Sequence, residues 1–402
     1  MTYDVESVRA RFPSLATGTA HFDGPGGSQV PAPVADAVRD AMVSPLANRG
    51  TVTAAERAAD AIVLDARRAL ADLLGASPEG VVFGRSMTQL TYDFARALAR
   101  TWSPGDEVVV TRLDHDANVR PWVQAAEAVG AVVRWVGFDP ATGELDDVAE
   151  ALSDRTRLVA VTAASNLIGT RPELARIGAQ AHERGALFYV DGVHYTAHHP
   201  VDVAAIGADF FACSPYKFFG PHCGVVAGRP EVLADLRPDK LLPSSDAVPE
   251  RFELGTLPYE VLAGCTAAVD FIAGLAPSTG TRRDRIAASL AVVGEHEDRL
   301  RDRVEAGLAE LPGAVVWSRA RLRTPTVLVT FAEHAAADAY RYLAGVGVNA
   351  PASSFYAIET SRWLGLGDAG GLRVGLAPYS TEAEVDRLLD GLAAFLRSTP
   401  GT

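Results

Sequence analysis

Apolar positions along the chain follow two rhythms. Ile62, Leu64, Ala66, Leu70 and Leu73 recur as stripes at helical spacing and predict a long helix over 54–74, after a shorter one over 31–42. Short apolar or β-branched runs at 81–83, 107–111, 131–136, 158–162, 187–190 and 210–212 read as strands, and helical patterns at 88–99, 119–128 and 172–184 fall between them. Apolar strands separated by helices predict a mainly parallel sheet covered on both faces. Ligands in such sheets bind beyond the carboxyl ends of the strands, and the polar segments 111–118, 165–170, 191–194 and 214–217 all fall there. After about residue 260 the rhythm changes: a long helix over 284–311, strands at 314–317 and 326–331, a helix over 335–344, an irregular stretch, a strand at 372–375 and a last helix over 382–396. The pattern predicts an α/β fold with a large unit over 17–258 and a smaller α+β unit over 259–402, joined by residues 1–16. No linker rich in Pro, Gly or Ser marks the division.

Composition narrows the function classes. The 402 residues carry 37 Lys+Arg against 50 Asp+Glu, a formal charge of −13, which argues against nucleic-acid and anionic-membrane surfaces. No apolar run reaches the length of a membrane span, and residues 1–13 lack the apolar core of a signal peptide, so a soluble, cytoplasmic protein is expected. Cys213, Cys223 and Cys265 fit neither a disulfide framework nor a zinc spacing, so no metal is expected.

Only two of the 37 basic residues are lysines, Lys217 and Lys240. Arginine keeps its proton, whereas lysine can lose it and act as an amine nucleophile. In so lysine-poor a chain, a lysine is a candidate for chemistry that arginine cannot do; a leftover surface charge is the plain alternative for each.

The segment 189–220, YVDGVHYTAHHPVDVAAIGADFFACSPYKFFG, puts an Asp at one strand end and a Lys just past the next, 26 residues later. An ion pair would explain those two residues alone. The whole arrangement, strand–Asp–Gly–x–His followed by strand–Ser–x–x–Lys–x–x–Gly–Pro, resembles the pyridoxal-phosphate site of the cysteine desulfurase family, within the class V aminotransferases. Further segments match in order: HFDGPGGSQVP at 21–31, ANRGTVT at 47–53, GRSMTQLT at 84–91, LDHDANVRPW at 113–122, SNLIGT at 165–170, FELGT at 252–256 and LRVGLAPYST at 372–381. The resemblance runs from about His21 to Leu396. It implies the aspartate-aminotransferase-like fold (fold type I), with a large cofactor-binding domain and a smaller C-terminal one.

It also implies roles. Lys217 would hold the cofactor aldehyde covalently and move the substrate α-proton. Asp191 would pair with the pyridinium nitrogen, and His115 would stack on the ring. Asn166 would contact the ring oxygen or the substrate carboxylate, and His194 the ring oxygen. The phosphate would sit at the helix start at Met87 and Thr88, with hydroxyls from Thr88 and Ser214 and a donor from Tyr216. Thr256 would reach the phosphate of a neighbouring subunit, which implies a homodimer with its site at the interface. Arg373 would grip the α-carboxylate of an amino-acid substrate, and Asn48, Arg49, Gly24–Gly27 and Ser353–Tyr356 would line its pocket.

The sequence departs from that family at two points. Desulfurases carry a nucleophilic cysteine on a mobile loop before the arginine motif, and residues 348–374 contain none; Phe355 lies nearest its place. Tyr216 stands where desulfurases usually have histidine before the lysine. The expectation is a lyase that eliminates the β-substituent of cysteine or a cysteine S-conjugate without a persulfide. An aminotransferase, or an amino-acid epimerase of the isopenicillin N epimerase-like branch, is almost equally compatible. A non-catalytic binding protein is disfavoured by the complete Lys–Asp–His–Arg set, and a nucleotide-binding protein by the lack of Walker and GxGxxG motifs.

Overall fold

The structure is a computed structural model and describes residues 3–397. The outermost residues of the expected smaller unit, 1–2 and 398–402, lie outside the described residues. A seven-stranded sheet forms the centre, in the order Val81–Gly84, Gly224–Gly228, Phe210–Cys213, Leu187–Asp191, Thr156–Thr162, Glu107–Thr111, Val132–Val136. Six strands run one way; Gly224–Gly228 alone is antiparallel to both neighbours. This last strand was not expected from the sequence, where GVVAG is too short and glycine-rich to stand out.

Alternation along each strand sorts side chains onto two faces. Val109, Val159, Val161, Phe188, Val190 and Phe211 enter one core, covered by the helices Ala54–Leu74, Leu174–Glu183 and Tyr259–Ala273. Val108, Val110, Leu158, Ala160, Tyr189 and Phe210 enter the other, under Met87–Ala99 and Arg120–Val129. Such double burial is why these strands read as continuous apolar runs.

A second sheet of four antiparallel strands is ordered Ala352–Ser353, Gly371–Gly375, Thr326–Phe331, Ala314–Val316. Leu372 and Val374 point into its core with Val327 and Val329, so Arg373 between them faces the other way. One helix, Arg282–Ala309, serves both cores: Ile286, Leu290 and Val293 pack with the large sheet, and Leu300, Val304 and Leu308 with the small one. Helix Tyr259–Ala273, together with Val8, Phe12 and Leu15, buries its apolar side in the large-sheet core. The strand Ala20–His21 pairs in parallel with Val348–Asn349, and Asp23 bridges to Gly375, so the segment that follows is strung between the two sheets.

A buried ion pair ties segment 252–256 to the edge strand of the large sheet. Arg67 donates to both carboxylate oxygens of Glu253, at 2.9 and 2.8 Å, and also to the carbonyl of Val81. Glu253 accepts from the Phe83 N–H at 2.9 Å. Removing Arg67 strands the Glu253 carboxylate in a dry site, whereas removing Glu253 leaves Arg67 within 3.5 Å of Glu250. Arg67→Met should therefore lose about 3–5 kcal/mol of stability in chemical denaturation, whereas the double change Arg67→Met with Glu253→Leu should lose far less. Equal losses would show that the pair is not what holds this segment.

Candidate functional site

The sheet register sets the site. Asp191 ends its strand opposite Thr162 on one side and Ala212 on the other. The next strand ends at Cys213, and a single 3-10 turn, Pro215–Lys217, returns Lys217 under the same strand ends. Both side chains line one pocket with Met87, Thr88, Asn166 and Ser214.

Lys217 is buried, and its Nζ donates to the carbonyl of Pro25 at 2.6 Å. Burial pushes this amine below the ordinary lysine range, Arg373 adds to the shift, and Asp191 and Asp23 oppose it. The buried Asp191 carboxyl is pushed up by burial, against the 2.9 Å bond from the Val193 N–H and the charge of Lys217. His115 caps the turn Asp116–Asn118, and its Nδ1 accepts from the Ala117 N–H at 3.0 Å. Burial, then Lys217 and Arg373, hold the imidazole pKa down at about 3. His115 is therefore neutral, with its proton on Nε2.

The turn into helix Met87–Ala99 is built by a cap and a glycine. Ser86 ends the turn after Val81–Gly84, and its Oγ accepts from the Gln89 N–H at 3.1 Å, which leaves the N–H groups of Met87 and Thr88 without helical partners. Gly224 lies so close that a Cβ there would meet the Ser86 carbonyl carbon at 2.1 Å and the Met87 nitrogen at 2.5 Å. Sequence reasoning placed the phosphate at Met87 and Thr88 but gave no role to Ser86 or Gly224.

Arg373 is 1% exposed. It donates to Asp23 Oδ1 at 2.7 Å and to the Asn166 carbonyl at 3.1 Å, and its guanidinium carbon lies 3.6 Å from the Phe355 ring centre. Asn166 donates to the Phe355 carbonyl at 3.0 Å, while its buried Oδ1 meets no donor among the described residues. Asp23 was inside a matched segment, but nothing local tied it to a residue 350 positions away.

The other expected residues separate into two groups. His194 lines the pocket, but its Nε2 is engaged at 2.9 Å by the hydroxyls of both Thr324 and Thr326. Tyr216 lines the pocket, and its ring stacks on His222 at 4.8 Å. Pro25, Gly26 and the Ser353–Tyr356 segment line the adjoining cleft. Asn48, Arg49 and Thr256 are not brought to it by their own chain. Asn48 and Thr256 are exposed, and Arg49 is held by Asp60 at 2.8 Å and Glu250 at 3.3 Å.

This donor set fits a phosphorylated pyridine aldehyde. A buried amine, a buried carboxylate, a neutral imidazole, free helix-start N–H groups and the unpartnered Asn166 Oδ1 converge on one pocket. Such a molecule carries groups of matching chemistry: an aldehyde, a ring nitrogen, a ring face, a phosphate and a ring hydroxyl.

Comparison with known proteins agrees. The profile described as "Aminotransferase class-V" matches residues 20–388. An uncharacterized Mycobacterium tuberculosis protein, MT3887, is 35% identical over 98% of this chain and 100% of its own length. A cysteine desulfurase of Dickeya dadantii is 32% identical over 97% of this chain and 96% of its own. The apo structure of a cysteine desulfurase from Thermococcus onnurineus NA1 superposes with a TM-score of 0.89 at 25% identity, covering 98% of each chain. With its fold, its pocket and a family match over nearly its full length, the chain belongs to the class V aminotransferases and is a pyridoxal-phosphate-dependent enzyme of the cysteine desulfurase-like type.

Proposed function

We propose that this enzyme is a C–S lyase that eliminates the β-substituent of cysteine or a cysteine S-conjugate and passes no sulfur to a thiol of its own. The observation that carries this reading is the placement of sulfur in the chain. Cys213, Cys223 and Cys265 are free and buried, and none of them lines the pocket or the cleft. Burial holds the Cys213 thiol well above its ordinary range, which leaves it protonated and inert. Where desulfurases present a thiol, this chain has Phe355, stacked on Arg373.

Pyridoxal phosphate, when bound, supplies an electron sink for the pair left at Cα when a bond there breaks. The chain's residues do the rest. Lys217 would hold the aldehyde, and its Nζ would move the Cα proton of the substrate; its lowered pKa suits both tasks. Asp191 keeps the ring nitrogen protonated. His115, being neutral, offers a flat face without charge. The N–H groups of Met87 and Thr88 and the hydroxyls of Thr88, Ser214 and Tyr216 serve the phosphate. Asn166 and His194 serve the ring oxygen, and Arg373 grips the α-carboxylate, for which Asp23 stands in meanwhile. With the Cα proton removed, the electron pair left behind would expel the thiolate from Cβ, so that cysteine conjugate plus water gives pyruvate, ammonia and a thiol.

The enzyme works as a homodimer in the cytoplasm. Met42, Val43, Val52 and Leu254 are large apolar residues left exposed on the same segments that carry Asn48, Arg49 and Thr256, and a second copy would cover them and bring those three to a neighbouring site. Among the described residues, no helix is long and apolar enough to cross a membrane.

Incubated with a cysteine S-conjugate, the holoenzyme should release pyruvate and free thiol in equal amounts, with no protein persulfide. Exchange of Cα hydrogen for solvent deuterium in otherwise intact substrate would instead identify an epimerase, and a keto acid retaining the side chain would identify an aminotransferase. Lys217→Ala should abolish the visible absorption band of the bound cofactor and lower turnover by at least about 10²–10⁴-fold, the usual contribution of a positioned general base. Unchanged colour and turnover in that variant would remove Lys217 from the site.

A further inference from the structure

The segment 353–363 forms one side of the cleft, and it is fastened in place. The Asp116 N–H donates to the Tyr356 carbonyl at 2.8 Å, and Thr360 Oγ1 donates to the Arg112 carbonyl at 2.8 Å. Glu359 accepts from Arg112 at 2.9 Å and also from Arg120. Trp363 Nε1 donates to the Phe138 carbonyl at 2.7 Å. The Arg112 guanidinium lies between the rings of Trp135 and Trp363, at 4.9 and 4.7 Å. A segment tied at so many points is a wall, not an arm that swings a group to the substrate.

Two consecutive residues on this wall are held in the left-handed region, Phe355 at φ 50° and Tyr356 at φ 58°. Bulky residues adopt this backbone at a cost, and it persists where surrounding contacts fix it. Its effect is to place an aromatic pair on the cleft. Phe355 stacks on Arg373, and Tyr356, 76% exposed, lies 5.6 Å from the His115 ring. Tyr92 and Tyr216 add two more rings to the same cleft.

Size and charge point the same way. The cleft measures about 930 Å³; a cofactor would take the part lined by Thr88, His115, Asn166 and Lys217, and the part beside Ser353–Tyr356 is left for a side chain. Beside the aromatic wall, the Arg120 cation is paired with Asp116 at 2.8 Å and with Glu359. Away from Lys217, Arg373 and Asp23, a substrate side chain entering the cleft meets rings and this neutralised cluster rather than an open charge.

We propose that Phe355 and Tyr356 are the specificity wall of this enzyme, and that it selects amino acids whose side chain carries an aromatic or large apolar group. This rests on the reading that Arg373 grips the α-carboxylate; under the elimination reading, the substrate is a cysteine with an aromatic or bulky apolar group on sulfur.

The test is a titration of the holoenzyme with L-phenylalanine, L-alanine and L-glutamate, following the absorbance of the bound cofactor. Phenylalanine should bind at least tenfold tighter than the other two. Phe355→Ala and Tyr356→Ala should each bring the phenylalanine-to-alanine ratio down to threefold or less. Taking the ratio within each variant separates selection from a general loss of grip by Arg373, and the exposed Tyr356 can be replaced without opening a core. A ratio within threefold in the unaltered enzyme, tighter binding of glutamate, or a ratio untouched in both variants would overturn the proposal. None of the three amino acids carries a leaving group at Cβ, so the result is independent of whether elimination occurs, which the pyruvate assay reads separately.

Discussion

A lysine amine buried under the ends of a parallel sheet is the constraint around which this protein is arranged. Taking an ammonium out of water is unfavourable unless charges and acceptors replace the solvent. Here the Pro25 carbonyl accepts from Lys217, and Asp191 and Asp23 oppose the combined push of burial and Arg373. These groups come from distant parts of the chain. Pro25 and Asp23 arrive on the segment strung between the sheets, Asp191 on a central strand, and Arg373 on the small sheet. The site is therefore a joint product of both cores, and neither core alone would hold the amine at a useful proton affinity.

Arg373 shows how one side chain can be kept ready without being used up. It is fully buried, yet its partners are an acid, a carbonyl and a ring face rather than a closed cage. Asp23 supplies a carboxylate where the substrate's own is expected, so the guanidinium stays oriented and its charge compensated while the cleft waits.

Most of the fold was legible from the chain. Helix 54–74 falls where its stripes put it, and six of the seven strands of the large sheet lie within two residues of the apolar runs that announced them, because both faces are buried and the pattern is strong. The two residues at the bottom of the pocket, Asp191 and Lys217, were legible because each sits at or just past the end of a predicted strand. What could not be read was long-range or stereochemical. The Asp23–Arg373 pair spans 350 residues, the hydroxyls of Thr324 and Thr326 on His194 come from another sheet, and Gly224 matters only through its distance to Ser86. The stretch after residue 348 was read as irregular; it holds the short helix Ile358–Trp363 and two left-handed residues, neither of which has a periodic signature.

The helix Arg282–Ala309 runs from one core into the other, and near its middle Glu297 accepts from His198, the histidine just beyond the turn that follows Asp191. A continuous rod of this kind welds the two lobes mechanically. Severing the chain between them would leave each fragment with half a helix and an open greasy seam, so heat should melt the molecule as a single cooperative block and not lobe by lobe.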